Sequence, residues 1–370
     1  MRVGIVGYRG MVGSVLMERF QQENDFNDFT PVFFSTSQAG QAALLVNGQE
    51  ATVSDAYDLT ALAALPIIVS TQGGEYTERV YGKLRAAGWD GYWIDAASSL
   101  RLNTDAVIVL DPLNRTLIDT ALTQGIKTFV GGNCTVSLLL LALHGLIQQD
   151  LIEWVSAMTY QAASGAGAQH MRELIGQMGV VHGAANALLA DPQSSILEID
   201  RAVTHALQSK ECPIEHFGLP LAGNLLPWID ADLGHGQSKE EWKGMVEANK
   251  ILGRVAQPIP IDGICVRVGA MRCHSQAILV KLKTQLAAKD IEAALAHANE
   301  WVRVIPNDKA STLAALTPVA VSGQLQIPIG RIRTMPMDAT LFAAFTLGDQ
   351  LLWGAAEPVR RMLKIVLKTL

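Results

Sequence analysis

The chain has 370 residues, enough for two domains. Hydrophobic residues make up 49% and charged residues 17%, with a formal net charge of -6, so a large core can be buried and the basic footprint of a general nucleic-acid binder is missing. The four cysteines, Cys134, Cys212, Cys265 and Cys273, form no C-x-x-C pair and are too sparse for a disulfide scaffold, which argues against a zinc site and for a reducing compartment.

In chain order, residues 2–6 read as a short apolar strand. Gly7-Tyr8-Arg9-Gly10-Met11-Val12-Gly13 follows and opens helical spacing over residues 14–20. Glycines and Arg9 interrupt any signal-peptide pattern here. Further strands are expected at residues 30–34, 65–70, 92–96, 107–110 and 127–130, with helical patterns between them, as over residues 76–87. Strands alternating with helices imply a parallel sheet covered on both faces, so residues 1–132 read as one Rossmann-like, doubly wound domain.

The second half has a different pattern. Residues 155–161 are strand-like and run into Ala162-Ala163-Ser164-Gly165-Ala166-Gly167-Ala168. Helical spacing covers residues 171–189 and 196–207, and residues 265–268 and 275–282 alternate as half-buried strands do. This predicts an α+β domain with an antiparallel or mixed sheet. Residues 348–370 read as helical, with Pro358 either starting a new helix or kinking a continuous one. The apolar run at residues 136–143 stops at His144, far short of a membrane span, so a soluble cytoplasmic protein is expected.

The densest chemical signal is Phe129-Val130-Gly131-Gly132-Asn133-Cys134-Thr135-Val136. A strand, a tight turn and a helix would put Cys134 in a first helical turn, where unpaired amides and the helix dipole favour a nucleophilic thiolate. A small buried core cysteine is the other reading. Gly7-x-x-Gly10-x-x-Gly13 lies between first strand and first helix, where backbone can approach a pyrophosphate; a plain glycine-rich turn is the alternative. The second strand ends at Phe34-Ser35-Thr36-Ser37, hydroxyls without the carboxylate that usually grips an NAD ribose, which favours NADP; Arg9 could reach its 2′-phosphate.

Three further places stand between a structural and a chemical role. His274, in Arg272-Cys273-His274-Ser275, suits proton transfer, or is a satisfied structural histidine. Arg267, seven residues earlier, would fall on the opposite face of one uninterrupted strand, so the two share a site only if Gly269 bends the chain. Glu240 and Lys243 fit a surface i,i+3 pair. Arg101, beyond a strand end, is an anion-binding candidate or a solvated charge.

Taken together, residues 7–14, Phe33-Phe34-Ser35-Thr36-Ser37, Gly131-Gly132-Asn133-Cys134-Thr135, Tyr160-Gln161-Ala162-Ala163-Ser164-Gly165, Glu240-Glu241-Trp242-Lys243, and Arg267 with Arg272-Cys273-His274-Ser275 resemble the aspartate-β-semialdehyde dehydrogenases of the Gram-negative bacterial type. The resemblance spans essentially the whole chain. It implies reversible conversion of L-aspartyl-4-phosphate, NADPH and a proton to L-aspartate-4-semialdehyde, NADP and phosphate, on the route to lysine, methionine and threonine. It implies Cys134 as nucleophile, His274 as acid/base and Gln161 as the residue orienting the acyl intermediate. Arg267 would hold the substrate carboxylate, Glu240 its ammonium, and Arg101, Asn133 and Lys243 phosphate. NADP would contact Gly7, Arg9, Gly10, Met11, Val12, Gly13, Thr36, Ser37, Gln72, Ser164, Gly165, Ala166, Gly167, Ala168, Arg172, Pro192 and Gln350. It further implies a homodimer, no metal, a catalytic and dimerisation domain at residues 133–347, and a C-terminal helix at 348–370 packing back on the first domain. A relative that reduces N-acetylglutamyl phosphate would leave Glu240 without an ammonium partner. A nucleotide-free cysteine acyltransferase would leave the glycine turn unused, and an NADP sensor would leave Cys134, His274 and Arg267 without a shared task.

Overall fold

The structure, a computed structural model, describes residues 1–46, 48 and 52–370. Seven strands form the first sheet: β1 (Arg2–Val6), β2 (Thr30–Ser35), β3 (Ser54–Asp55), β4 (Ile67–Ser70), β5 (Tyr92–Asp95), β6 (Ala106–Val109) and β7 (Thr128–Gly131). Their order is β3-β2-β1-β4-β5-β7-β6, and every pairing among the described residues is parallel. Strands such as Ile67–Ser70 and Ala106–Val109 are buried at every position, as both-face coverage demands. Side-chain alternation divides them between two cores: Val3, Ile5 and Val69 face one side, Val6, Ile68 and Trp93 the other. The chain leaves β1 for β2 on one side and returns to β4 on the other. That reversal of direction opens a crevice at the strands' carboxyl ends.

The second sheet is mixed. It contains β8 (Ile152–Gln161), β9 (Leu225–Leu226), β10 (Ile261–Asp262), β11 (Cys265–Val268), β12 (His274–Leu282), β13 (Val302–Val304), β14 (Ile327–Met335) and β15 (Asp338–Gly348). The order is β13-β14-β15-β12-β8-β11-β9, with β10 also pairing with β8. The fold class expected from the sequence, a Rossmann-like sheet plus an α+β unit, is the one observed. Among the described residues no helix is long and apolar enough to cross a membrane.

The helix Cys134–Gln148 joins the two sheets and is buried along its whole middle, Thr135 through Ile147. Its side chains share one core with Val130 and Ile108 of the first sheet and with Ile278, Val280, Ile329 and Phe342 of the second. A helix enclosed on all sides needs apolar residues all round, which explains the unbroken run at 136–143.

One expectation needs correction. Residues 348–370 are not one helix: Gly348 closes β15, Leu352–Ala356 makes a π-helical turn, and the regular helix is Glu357–Leu367. Pro358 sits in its first turn, where its missing N–H costs little. The condition set for Arg267 and His274 is met: the chain bends at Gly269, directly after β11, and the two lie on β11 and β12, separate strands on either side of β8.

Candidate active site

The glycine turn lies at the crevice beside β1. Gly7 has φ +81°, a left-handed conformation, and a Cβ there would come within 2.8 Å of the Gln72 amide nitrogen. A Cβ on Gly13 would come within 2.1 Å of the Gly7 carbonyl oxygen, so helix and turn approach this closely only with glycine at that position. Gly10 donates its N–H to the Gly7 carbonyl at 3.0 Å, and helix Met11–Gln22 starts directly after it with no side-chain cap. Such an end suits an anion. Gln72, just past β4, donates to Thr36 Oγ1 at 3.3 Å, and Ser37 follows. Arg9 donates to Gln38 Oε1 and to the Ala42 carbonyl, and its guanidinium lies 5.3 Å from the Tyr8 ring centre.

The second cluster grows from three strand ends. Asn133, after β7, caps the buried helix: its Oδ1 accepts from Thr135 N at 3.0 Å and Val136 N at 3.2 Å, which makes Cys134 the first helical residue. Gln161 ends β8. On one side Arg267 is in direct register with Gln161; on the other Ser275 pairs with Tyr160, which draws His274 alongside. The backbone of Ala162 holds both flanking side chains. Its carbonyl accepts from Arg267 Nη1 at 2.8 Å, and its N–H donates to His274 Nδ1 at 3.0 Å.

That second bond fixes the tautomer. With Nδ1 accepting, a neutral His274 carries its proton on Nε2, which is buried and has no partner among the described residues. Burial first, and the Arg267 charge second, push His274 down to about 3, so it stays neutral at physiological pH. Gly165 leaves room for this pair, since a Cβ there would lie 2.9 Å from both Arg267 Nη1 and His274 Nε2.

Cys134, Gln161, Glu240, Arg267, Arg101 and Gln350 line a cavity of about 320 Å³, room for a small polar metabolite. Cys134 is partly accessible there, whereas Cys212, Cys265 and Cys273 are buried. Desolvation and then the Glu240 carboxylate push its thiol up to about 12, against Arg101, Arg267 and the Thr135 N–H. These influences oppose the standing thiolate expected from the helix terminus. A single helix end is outweighed by burial and a nearby negative charge.

Glu240 is not half of a surface pair. It is 7% exposed; its Oε1 accepts from Asn133 Nδ2 at 2.9 Å and Gln161 Nε2 at 3.2 Å, and its Oε2 from Lys243 Nζ at 3.1 Å. Lys243 also donates to Asp230 Oδ2 at 2.6 Å. Arg101 is buried; its Nε donates to the Gly131 carbonyl at 2.7 Å, and its Nη1 lies 3.2 Å from Glu247 Oε1. Glu247 also accepts the Asn133 N–H at 2.8 Å.

Glu247 and Asp230 escaped the sequence reading. Glu240, Lys243 and Glu247 stand at i, i+3 and i+7 of helix Lys239–Ile251, one face, so that spacing could have revealed Glu247. Asp230 sits in an irregular loop with φ +70°, and no sequence pattern marks it.

Of the remaining sequence candidates, Ser164, Gly165 and Ala166 form a short turn beside His274. Gly167, at φ +117°, precedes helix Ala168–Ala190. Arg172 is exposed in the first turns of that helix. Pro192 is exposed beyond its far end, roughly 30 Å along the axis from Arg172, and is not gathered with the others. Ser164 Oγ and Gln350 Nε2 are buried without a partner among the described residues. Among those residues no group of His, Cys, Asp and Glu could hold a metal ion.

A glycine-cradled crevice and a cysteine cavity on one chain define a nucleotide-linked oxidoreductase. Family models agree: "Semialdehyde dehydrogenase, NAD binding domain" matches residues 2–121 and "Semialdehyde dehydrogenase, dimerisation domain" residues 143–353. An aspartate semialdehyde dehydrogenase from Francisella tularensis is 48% identical over 99% of both chains, with a TM-score of 0.95. The chain belongs to the aspartate-semialdehyde dehydrogenase family. Two more distant structures share the fold. One is aspartate semialdehyde dehydrogenase II from Vibrio cholerae complexed with ASA, 22% identical over 99% of this chain and 98% of that one, TM-score 0.79. The other is the enzyme from Candida albicans with NADP, 17% identical over 99% and 98%, TM-score 0.65.

Proposed function

We propose that this enzyme reversibly converts L-aspartyl-4-phosphate to L-aspartate-4-semialdehyde and phosphate, with NADPH as reductant and a thioester on Cys134. The observation that carries it is the charge set around one partly accessible thiol. Glu240 matches an ammonium, Arg267 a carboxylate, and Arg101 and Asn133 a phosphate, all with Cys134 at the same cavity, while Lys243, a second cation for the phosphate, stands behind its Glu240 and Asp230 lining.

Substrate binding itself activates the sulfur. The Glu240 carboxylate raises the Cys134 pKa, and an ammonium arriving at Glu240 cancels that charge. Cys134 Sγ then attacks the acyl carbon, the C–O bond to phosphate breaks, and the thiol proton leaves with the phosphate. Arg101 and Lys243 hold the departing anion. Gln161, anchored on β8, orients the acyl group. NADPH held at the glycine turn would supply the hydride that reduces the thioester. His274 donates a hydrogen bond from its Nε2–H to the developing oxyanion, which then collapses as the C–S bond breaks, releasing the aldehyde and a Cys134 thiolate that takes up the proton consumed in the overall reaction.

The residues present suit that cofactor. The turn at residues 7–13 would receive the pyrophosphate, Thr36, Ser37 and Arg9 the adenosine 2′-phosphate, and the unpartnered Ser164 Oγ and Gln350 Nε2 the polar groups of the nicotinamide half. Gln72, residues 164–168 and Arg172 complete the set, together with Pro192, whose position adds no support. We assign residues 1–132 to cofactor binding, 133–347 to catalysis and dimerisation, and 348–370 to a closing segment. The exposed Ile175, Met178, Ile196 and Leu197 on helices Ala168–Ala190 and Ile196–Gln208 supply an apolar face for a homodimer. The product would feed lysine, methionine and threonine synthesis in the cytoplasm.

The test is NADPH formation from L-aspartate-4-semialdehyde and NADP. Turnover should require phosphate and should fall on the order of 10³-fold or more in Cys134→Ala. Phosphate-independent turnover, or an active Cys134→Ala, overturns the reading.

A further inference from the structure

Each of the two cations assigned to phosphate is already matched by carboxylates of the chain. Arg101 is held by Glu247, and Lys243 by Glu240 and Asp230. Two cations thus face three carboxylates, and a phosphate entering this arrangement unchanged would meet excess negative charge. Glu240 has a task in the reading above, as partner to the substrate ammonium. Glu247 and Asp230 have none.

The two are held very differently. The Glu247 side chain is 3% exposed and is also pinned by the Asn133 N–H at 2.8 Å, so its withdrawal would strand a buried guanidinium. The Asp230 side chain keeps 32% of its exposure and approaches Lys243 Nζ at 2.6 Å, against 3.1 Å for Glu240. It belongs to the irregular stretch between β9 and helix Lys239–Ile251. It lines the cavity together with Arg101, Cys134 and Arg267. Its backbone is left-handed at φ +70°, a conformation that Asp and Asn tolerate better than most residues.

We propose that Asp230 is an intramolecular competitor for phosphate: its carboxylate occupies Lys243 in the empty enzyme, and phosphate displaces it to reach that ammonium. This rests on the reading that Lys243 and Arg101 bind phosphate. The exchange is of one anion for another, so Lys243 is never left uncompensated. After thioester formation, return of Asp230 to Lys243 helps expel the phosphate. Asp230 thereby sets how weakly that product is held, and Glu247, which cannot leave, sets where Arg101 stands.

The experiment is phosphate binding to the full-length enzyme with NADP bound, by calorimetric titration with inorganic phosphate, alongside phosphate KM values. The variants are Asp230→Asn and Asp230→Gly, both compatible with a positive φ. Asp232→Asn removes a neighbouring exposed loop carboxylate that accepts the Gly234 N–H, and serves as the control for overall charge. Both Asp230 variants should bind phosphate about 5- to 10-fold more tightly, with the semialdehyde KM within about twofold of native and stronger product inhibition by phosphate. Asp232→Asn should match native. Unchanged or weaker phosphate binding in the Asp230 variants, or an equal gain in Asp232→Asn, overturns the inference. If the native enzyme neither binds nor requires phosphate, the failure belongs to the reading beneath it.

Discussion

Cys134 is subject to opposed influences at a single atom. The helix terminus, Arg101 and Arg267 favour a thiolate, while desolvation and Glu240 oppose it and prevail, pushing the thiol up to about 12. The sign of the consequence is fixed. Only thiolate reacts with iodoacetamide, so alkylation of the empty enzyme should climb about tenfold per pH unit between pH 7 and 9 without levelling. Glu240→Gln removes a charge that raises the pKa and should alkylate severalfold faster at any one pH in that range. A plateau below pH 9, or a Glu240→Gln rate equal to native, contradicts this account. The logic also explains why a thiol so near an ion cluster can be protected before substrate arrives. Under the proposed function its activator is the substrate's own ammonium, not a resident base. His274 cannot fill that part as a neutral imidazole, because the Ala162 N–H occupies the nitrogen that would have to accept the proton.

At the scale of elements, Asn133 connects three functions. Its Oδ1 caps the Cys134–Gln148 helix, its Nδ2 reaches Glu240, and its N–H is held by Glu247. Asn133→Ala should cost about 1–2 kcal/mol in urea unfolding, whereas Asn133→Ser, which keeps a capping oxygen, should lose less than half of that. Equal losses would mean that the cap contributes little. Local patterns of this kind are what made much of the molecule legible in sequence. The parallel strands are near-continuous apolar runs, the glycine turn is dictated by close approach, and the run at 136–143 announces a fully enclosed helix. The two long strands β14 and β15 went unread for a physical reason. Pro328 and Gly330 interrupt the pattern of β14, and its register shifts between Gly330 and Arg333, where Arg331 is left-handed at φ +57°. Such bulges break the period-2 signal while leaving the sheet intact. Residues 338–348 then resemble a helix start as much as a strand end. Of the site, Cys134 at a helix start and the i,i+3 spacing of Glu240 and Lys243 could be read locally, although that pair by itself read as a surface one. The Ala162 clamp and Asp230 could not, because their meaning depends on strands and loops far apart in sequence.

Across the whole molecule, the last residues of the chain bind its two halves together through the site. From Gly348 at the end of β15, the backbone passes Gln350 and then Gly354, where a Cβ would lie 2.6 Å from Cys134 Cβ. The helix Glu357–Leu367 then lays Val359, Met362, Leu363 and Val366 on the first sheet, at the i, i+3, i+4, i+7 spacing of a buried stripe. Ion pairs lock it there. Arg360 lies 2.7 Å from Asp25 and 2.7 Å from Glu357, with side-chain exposures of 6%, 1% and 1%. Burial would lower the Arg360 pKa, but Glu357 and Asp25 outweigh that and hold the guanidinium above its ordinary value, fully charged. Removing it leaves two buried carboxylates short of a partner, although Lys364 still serves Asp25 and Arg19 still serves Glu357. Arg360→Met should therefore cost about 3 kcal/mol, the lower end for breaking a buried pair. Arg115→Met, which breaks the solvent-exposed pair with Asp119, should cost no more than about 0.5 kcal/mol. Hydrogen exchange locates the effect. Amides of Glu357–Leu367 should lose protection in Arg360→Met before those of Cys134–Gln148, since the latter helix is enclosed by both sheets and the former by one. If both helices loosen together, or if Arg360→Met is no worse than Arg115→Met, the C-terminal segment is not the separate closing element that its packing and ion pairs describe.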